Sequence, residues 1–192
     1  MDTGDGVPSS LAEDTERSIR DSIDLANRWH GADDGRLRYA FAPRFVLSCT
    51  DALLSAVARE ARRMGLLVHT HASENAGELE AVRRKTGRSN VQHLSHLDLL
   101  GRDTVLAHGV WLSKDEMQML AATGKHVVHC PSSNAKLGSG FARIPELLSA
   151  GIDVALAADG AACNNRLDAF AEMRLAGLIH APTFGPSALP PE

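Results

Sequence analysis

Leu66-Leu67-Val68-His69-Thr70-His71-Ala72-Ser73-Glu74 is the stretch that decides the fold. A short apolar run closes on a knot of polar groups, and the pattern returns where Thr104-Val105-Leu106-Ala107 meets His108-Gly109 and where Ile152 to Ala158 meets Asp159-Gly160. Each polar group then projects from the carboxyl end of a buried strand, which is where parallel α/β enzymes put their chemistry.

Outward from these runs, strand and helix alternate. A helix pattern from Ala12 to Trp29 places Ile19, Ile23, Leu25, Ala26 and Trp29 on one apolar face, and Gly31 to Gly35 ends it. Leu37 to Leu47 is the first strand expected. Thr50 caps a helix Asp51 to Met64 stopped by Gly65, and strand Leu66 to His71 follows. A helix from Ala76 to Thr86 stops at Gly87, a helical turn from Ser95 to Leu100 stops at Gly101, and strand Thr104 to His108 comes next. Ser113 and Glu116 form a capping box for a helix ending at Gly124. Strand His126 to Cys130, helix Ile144 to Ala150 with Gly151, strand Ile152 to Ala157 and a helix Arg166 to His180 complete the series. About five strands with helical crossovers and no dividing linker predict one α/β domain with a parallel sheet over residues 1–192.

An open doubly wound sheet and a piece of an eight-stranded barrel look alike at this level. The open sheet usually carries GxGxxG or GxxxxGK[ST] near its start, and this sequence has neither. Chemistry after at least four separate strands favours the barrel, although 192 residues is short of the roughly 250 that a full barrel takes.

The composition, 44% hydrophobic and 23% charged, is that of a folded globular chain. A net charge of −4 gives no reason to expect a nucleic acid polymer as partner. No apolar run reaches the roughly 18 residues of a membrane span, and the acidic Met1 to Gly6 lacks the basic and apolar regions of a signal peptide. Cys49, Cys130 and Cys163, odd in number and without a CxxC, fit free thiols in a cytoplasmic protein.

His69 and His71 share one strand face, and Glu74 lies just past the strand end. Histidine with a carboxylate is a common way to hold a divalent transition metal, which lowers the pKa of bound water to about 7. A carboxylic acid that does not ligate the metal is still needed to move protons, and Glu74 suits that task. His108 and Asp159 close further buried strands, where a polar group needs a partner. In His129-Cys130-Pro131-Ser132-Ser133-Asn134, His129 and Cys130 point to opposite strand faces and make a poor zinc pair. Cys130 reads as a small buried hydrophobe, and Ser132, Ser133 and Asn134 read as shapers of a loop.

Taken together with Ala42-Pro43-Arg44-Phe45, Ala107 to Leu112, His129 to Gly140 and Ala158 to Asn165, these segments resemble the amidohydrolase superfamily. The likeness is to the branch holding S-adenosylhomocysteine and methylthioadenosine deaminases, guanine deaminase and triazine chlorohydrolases, and is strongest over residues 35–180. It implies a partial (β/α)8 TIM-type barrel of the metal-dependent hydrolase kind. By resemblance His71 is the metal ligand of barrel strand five and Glu74 the proton shuttle. His108, on strand six, sits beside the metal and polarises the attacked centre. Asp159, on strand eight, binds the metal and takes a proton from water, so the implied metal residues are His71, His108 and Asp159. Arg44, after strand four, is implied in substrate binding with Glu74 and His108, the alternative being a salt bridge at the barrel rim; Asn164 and Asn165 would organise the loop after Asp159. One zinc or iron ion, a small heterocyclic substrate and a homo-oligomeric full-length protein are the implied partners.

The resemblance departs at two places. The family's first strand supplies a His-x-His pair, and nothing before residue 69 contains one; His30 stands alone at a helix end as a surface residue. After the last helix there is no segment for the family's β-sandwich. The expectation is a fragment of a longer hydrolase of C–N bonds, inactive by itself. The alternatives are a triazine-type dehalogenase and a non-catalytic fragment acting as an assembly partner.

Overall fold

The computed structural model describes residues 1–2, 8–123 and 126–189. The expected helix stop at Gly124 and most of the two chain ends, Thr3 to Gly6 and Pro190 to Glu192, lie outside them. In chain order the elements are α1 (Thr15–Trp29), β1 (Ala40–Phe41), α2 (Asp51–Met64), β2 (Leu67–Ala72), α3 (Ala76–Thr86), α4 (Asn90–His96) and β3 (Thr104–His108). There follow α5 (Lys114–Thr123), β4 (His126–His129), α6 (Pro131–Lys136), α7 (Ile144–Ser149), β5 (Asp153–Leu156), α8 (Ala161–Asn164), α9 (Ala169–Ile179) and α10 (Ala181–Phe184). The strands follow one another as β1-β2-β3-β4-β5 in a five-stranded sheet. Ala40 pairs in parallel with Leu67, and His126 with Asp153. The α/β class with parallel strands is the one the sequence predicts.

Residues Met1–Thr70 and Ala81–Val105 form one compact unit, and His71–Glu80 and Leu106–Glu192 form another. In the first, α2 buries Leu53, Leu54, Val57, Ala58 and Ala61, the stripe its helical period dictates. Thr50 accepts from the Leu53 N–H, and Gly65 at φ 65° closes the helix in the left-handed conformation. In the second, Leu106, Ala107, Val110, Leu112, Met117, Leu120, Val127, Ile144, Leu147 and Ile152 form the core. Ser113 and Glu116 exchange the two hydrogen bonds of the expected capping box. Among the described residues no helix is long and apolar enough to cross a membrane.

The differences from expectation have local causes. Helix α1 starts at Thr15 because the Asp14 side chain caps it at the Arg17 N–H, and of its apolar stripe only Ala26 is buried, with Leu25 and Trp29 exposed. The strand expected over Leu37 to Leu47 pairs only at Ala40–Phe41, since Pro43 has no N–H to extend a ladder. The turn expected at Ser95 to Leu100 is helix α4 instead, begun earlier by the Ser89–Gln92 capping box. The segment read as a loop at Ser132 to Asn134 is helical, with Pro131 at its first position, where a missing N–H costs nothing. His30 is exposed as expected, its Nδ1 accepting from the Tyr39 N–H.

Candidate active site

His71, Glu74, His108 and Asp159 all belong to the second unit. β2 delivers His71, and the chain then turns through Ser73 at φ 56° to present Glu74. Glu78, one turn into α3, anchors that corner: its Oε1 accepts from the Ser73 N–H at 3.1 Å and its Oε2 from the Glu74 N–H at 2.8 Å. Burial pushes the Glu78 carboxyl pKa up, against the pull of those backbone donors.

β3 ends on His108 at φ 74°, followed by Gly109 at φ 57°. The Gly109 N–H donates to Ala72 O at 3.1 Å and the Trp111 N–H to Ser73 O at 2.9 Å, lacing the two strand ends together. A Cβ on Gly109 would lie 3.0 Å from Leu112 Cδ1 and 3.2 Å from Val127 Cγ1, so the position needs glycine for space as well as for its backbone. Asp159 follows β5 at φ 61°. Left-handed backbone at a residue with a Cβ is costly and persists where its surroundings hold it, and here Ser73, His108 and Asp159 all adopt it at strand ends.

The side chains converge. The rings of His71 and His108 are 5.3 Å apart at 30°. His108 Nε2 lies 3.7 Å from Glu74 Oε2, while its Nδ1 is hydrogen-bonded to Asn134 Oδ1 at 2.9 Å. Ser139 Oγ donates to Glu74 Oε1 at 3.3 Å, and Ser139 O accepts from Trp111 Nε1 at 2.7 Å. Asp159 accepts from Ser133 Oγ at 2.6 Å and from the Gly160 N–H at 2.7 Å. Partial burial raises its pKa, but those hydrogen bonds outweigh it, with help from His108 and His71, and hold the carboxyl below its ordinary value.

Arg44 is in the first unit, exposed, with its guanidinium 5.4 Å from the Phe45 ring centroid. Asn164 bonds Ala158 O at 2.7 Å and Glu172 Oε1 at 2.8 Å, and Asn165 Oδ1 accepts from Lys136 Nζ, so both asparagines organise the loop after Asp159. Cys130 is buried, its thiol pushed up to about 12 chiefly by burial. Ser133, Asn134, Ser139 and Glu78 were not singled out from sequence as partners of the site. Pro131, a good first residue of a helix, is the signal that could have shown 131–136 to be a rigid support.

The donors here, an imidazole on His71 and a carboxylate on Asp159 held ionised, have the chemistry a divalent metal needs. Among the described residues no three His, Cys, Asp or Glu side chains are grouped to hold one.

The sequence model of the Amidohydrolase family matches residues 3–188. A 5-methylthioadenosine/S-adenosylhomocysteine deaminase of Desulfitobacterium hafniense is 38% identical over 179 residues, covering 93% of this chain and 42% of the relative. An adenosine deaminase from Xanthomonas campestris, solved with bound zinc, superposes with a TM-score of 0.89 at 31% identity, over 96% of this chain and 42% of the other. A guanine deaminase from C. acetobutylicum, solved with guanine in its active site, gives 0.87 at 26% identity, over 98% and 46%. The chain thus spans less than half the length of each of these relatives.

Proposed function

We propose, for a chain that belongs to the amidohydrolase family, that it carries barrel strands four to eight of an enzyme that hydrolytically deaminates a purine-like heterocycle. One observation carries this reading: Glu74 and His108 meet at 3.7 Å at the ends of β2 and β3, in the same unit as an Asp159 whose carboxyl is held ionised. A general acid beside an imidazole, with a separate carboxylate base, is what adding water to an aromatic C–N carbon and expelling ammonia requires.

When bound to His71, Asp159 and donors outside this chain, a divalent ion, zinc or iron, supplies acidified water. Asp159 accepts a proton from the attacking water, since its carboxylate is kept unprotonated by Ser133 and Gly160. Glu74 passes a proton to the ring nitrogen next to the attacked carbon and then to the departing amino group, its reach set by the Glu78 anchor. His108 faces the attacked centre. Atoms balance as one water consumed and one ammonia released for each exocyclic amino group replaced by oxygen.

The test is ammonia release by the protein of the full reading frame, with S-adenosylhomocysteine, methylthioadenosine and guanine as substrates and metal content measured in parallel. Loss of turnover in Glu74→Gln with metal retained is the expected result. Chloride release from a chlorotriazine in place of ammonia would move the reading to a dehalogenase.

A non-catalytic assembly role is the second reading, favoured by exposed apolar side chains near the carboxyl end: Phe170 and Met173 on α9 are 81% and 58% exposed, and Leu156 on β5 is exposed as well. A well-behaved monomer in sedimentation would sink it.

A further inference from the structure

Within the proposed deaminase reading, we propose that Glu172 is a positioning residue for Asp159, holding in place the two segments that the Ser133–Asp159 hydrogen bond joins. Glu172 lies in the first turn of α9 and is 1% exposed. A buried carboxyl needs partners for its oxygens, and here each oxygen has one. Oε2 accepts from the Ser132 N–H at 3.1 Å, and Oε1 accepts from Asn164 Nδ2 at 2.8 Å. The same Asn164 amide donates to Ala158 O at 2.7 Å, which its two hydrogens allow.

These anchors fall next to the two residues of the bond. Ser132 precedes Ser133, whose hydroxyl donates to Asp159 Oδ2 at 2.6 Å, and Ala158 precedes Asp159 itself. Glu172 thus fixes the donor's segment directly and the acceptor's segment through Asn164. Asp159 stands at φ 61°, a conformation that persists only where its surroundings impose it. The hub is itself well seated: α6 packs against both α8 and α9, and the Asp168 carboxyl caps α9 by accepting from the Phe170 and Ala171 N–H groups at 3.0 and 3.2 Å.

The role requires an acceptor at both oxygens. Glu172→Gln keeps one and turns the other into an amide that faces a donor, while Glu172→Ala keeps neither. Both variants leave Ser133 and Asp159 unchanged, but their meeting is no longer enforced. In the reaction this loosens the carboxylate that takes the proton from water, without touching a group that binds substrate.

The experiment reads the Gly160 amide of the 192-residue chain by 1H–15N correlation, because that N–H donates to Asp159 Oδ1 at 2.7 Å and so reports where the carboxylate sits. A strong bond to a carboxylate moves an amide proton downfield. The expected wild-type signal is downfield of ordinary glycine, shifts upfield in Glu172→Gln and shifts further in Glu172→Ala. Thr50→Ala, which removes the cap of α2 in the other unit, controls for a general loss of stability and should leave Gly160 in place. An ordinary Gly160 shift in the wild type overturns the proposal, as does an unchanged shift in Glu172→Ala with native circular dichroism. If the alanine variant fails to fold, the wild-type and glutamine spectra still decide. In the full-length protein, Glu172→Gln should lower kcat by about tenfold with KM unchanged, and a change confined to KM would overturn the positioning role. The amide readout needs no turnover, so failure of the full-length protein to release ammonia would refute the deaminase reading and leave Gly160 to judge Glu172.

Discussion

Ser133 Oγ donates to Asp159 Oδ2 at 2.6 Å, tying the first turn of α6 to the residue that ends the β5 segment, 26 positions further along the chain. Together with the Gly160 N–H, this bond holds the Asp159 carboxyl below its ordinary pKa against the opposing effect of burial. A folded-state pKa that is depressed gives stability present above the unfolded value and lost as pH falls through the folded one. Ser133→Ala removes the larger hydrogen bond and leaves the burial. The Asp159 titration midpoint, followed by carboxyl 13C NMR, should move up, and the share of stability lost on acidification through the carboxylate range should shrink. A midpoint that stays in place would show that the Gly160 N–H and the neighbouring His108 and His71, and not Ser133, set the ionisation.

Glu78 gives a graded series. Its two oxygens satisfy two backbone donors at the corner that carries Glu74, and the Ser73 side of that corner is fully buried. Glu78→Gln keeps one acceptor oxygen and Glu78→Ala keeps none. A buried N–H left without a partner costs about 1–3 kcal/mol, so urea unfolding should rank the wild type first, glutamine next and alanine last. Amide exchange at Ser73 and Glu74 should accelerate in the same order. Equal exchange in all three proteins would mean that the β2–β3 lacing, and not Glu78, fixes the corner.

What the sequence showed and what it hid divide along the range of the interaction. Helix α2 was legible to the residue, because Thr50 and Gly65 act within a turn of its ends. The positions of His71, His108 and Asp159 at strand ends were legible from apolar runs closing on polar groups. The turn expected at Ser95 to Leu100 lies too far along the chain, because the Ser89–Gln92 box, acting within one turn, sets where α4 begins, and Gly101 marks only a later stop. The partnership of Asn134 with His108 and of Ser139 with Glu74 was not legible at all, since these contacts join residues 26 and 65 positions apart and no periodicity encodes them.

The cysteines should react in a fixed order. Cys49 and Cys130 are buried and Cys163, on α8, is half-buried. With its thiol pushed up to about 12, Cys130 has almost no thiolate at neutral pH, and the thiolate is the reactive species. Limited alkylation followed by mass spectrometry should label Cys163 first in the native chain and all three in denaturant. Early labelling of Cys130 would contradict its burial.

His129 makes folding sensitive to mild acid. Its ring is fully buried, neither nitrogen has a hydrogen-bond partner among the described residues, and the His180 ring lies 5.4 Å away. Burial, and then the neighbouring His180, lower its pKa from 6.5 to about 4, while Glu172 opposes them. The unfolded chain takes up a proton as pH falls through about 6.5, but the folded chain refuses it until about 4, so stability is whole above that window and declines through it. At about 1.4 kcal/mol per pH unit the loss is on the order of 3 kcal/mol. His180, lowered by burial, adds a loss of the same sign. His129→Leu removes the titrating ring at the cost of no hydrogen bond, and its urea midpoint should fall less than the wild type's between pH 7 and pH 4.5. Parallel pH profiles for the two proteins would place the acid sensitivity in the carboxylates instead.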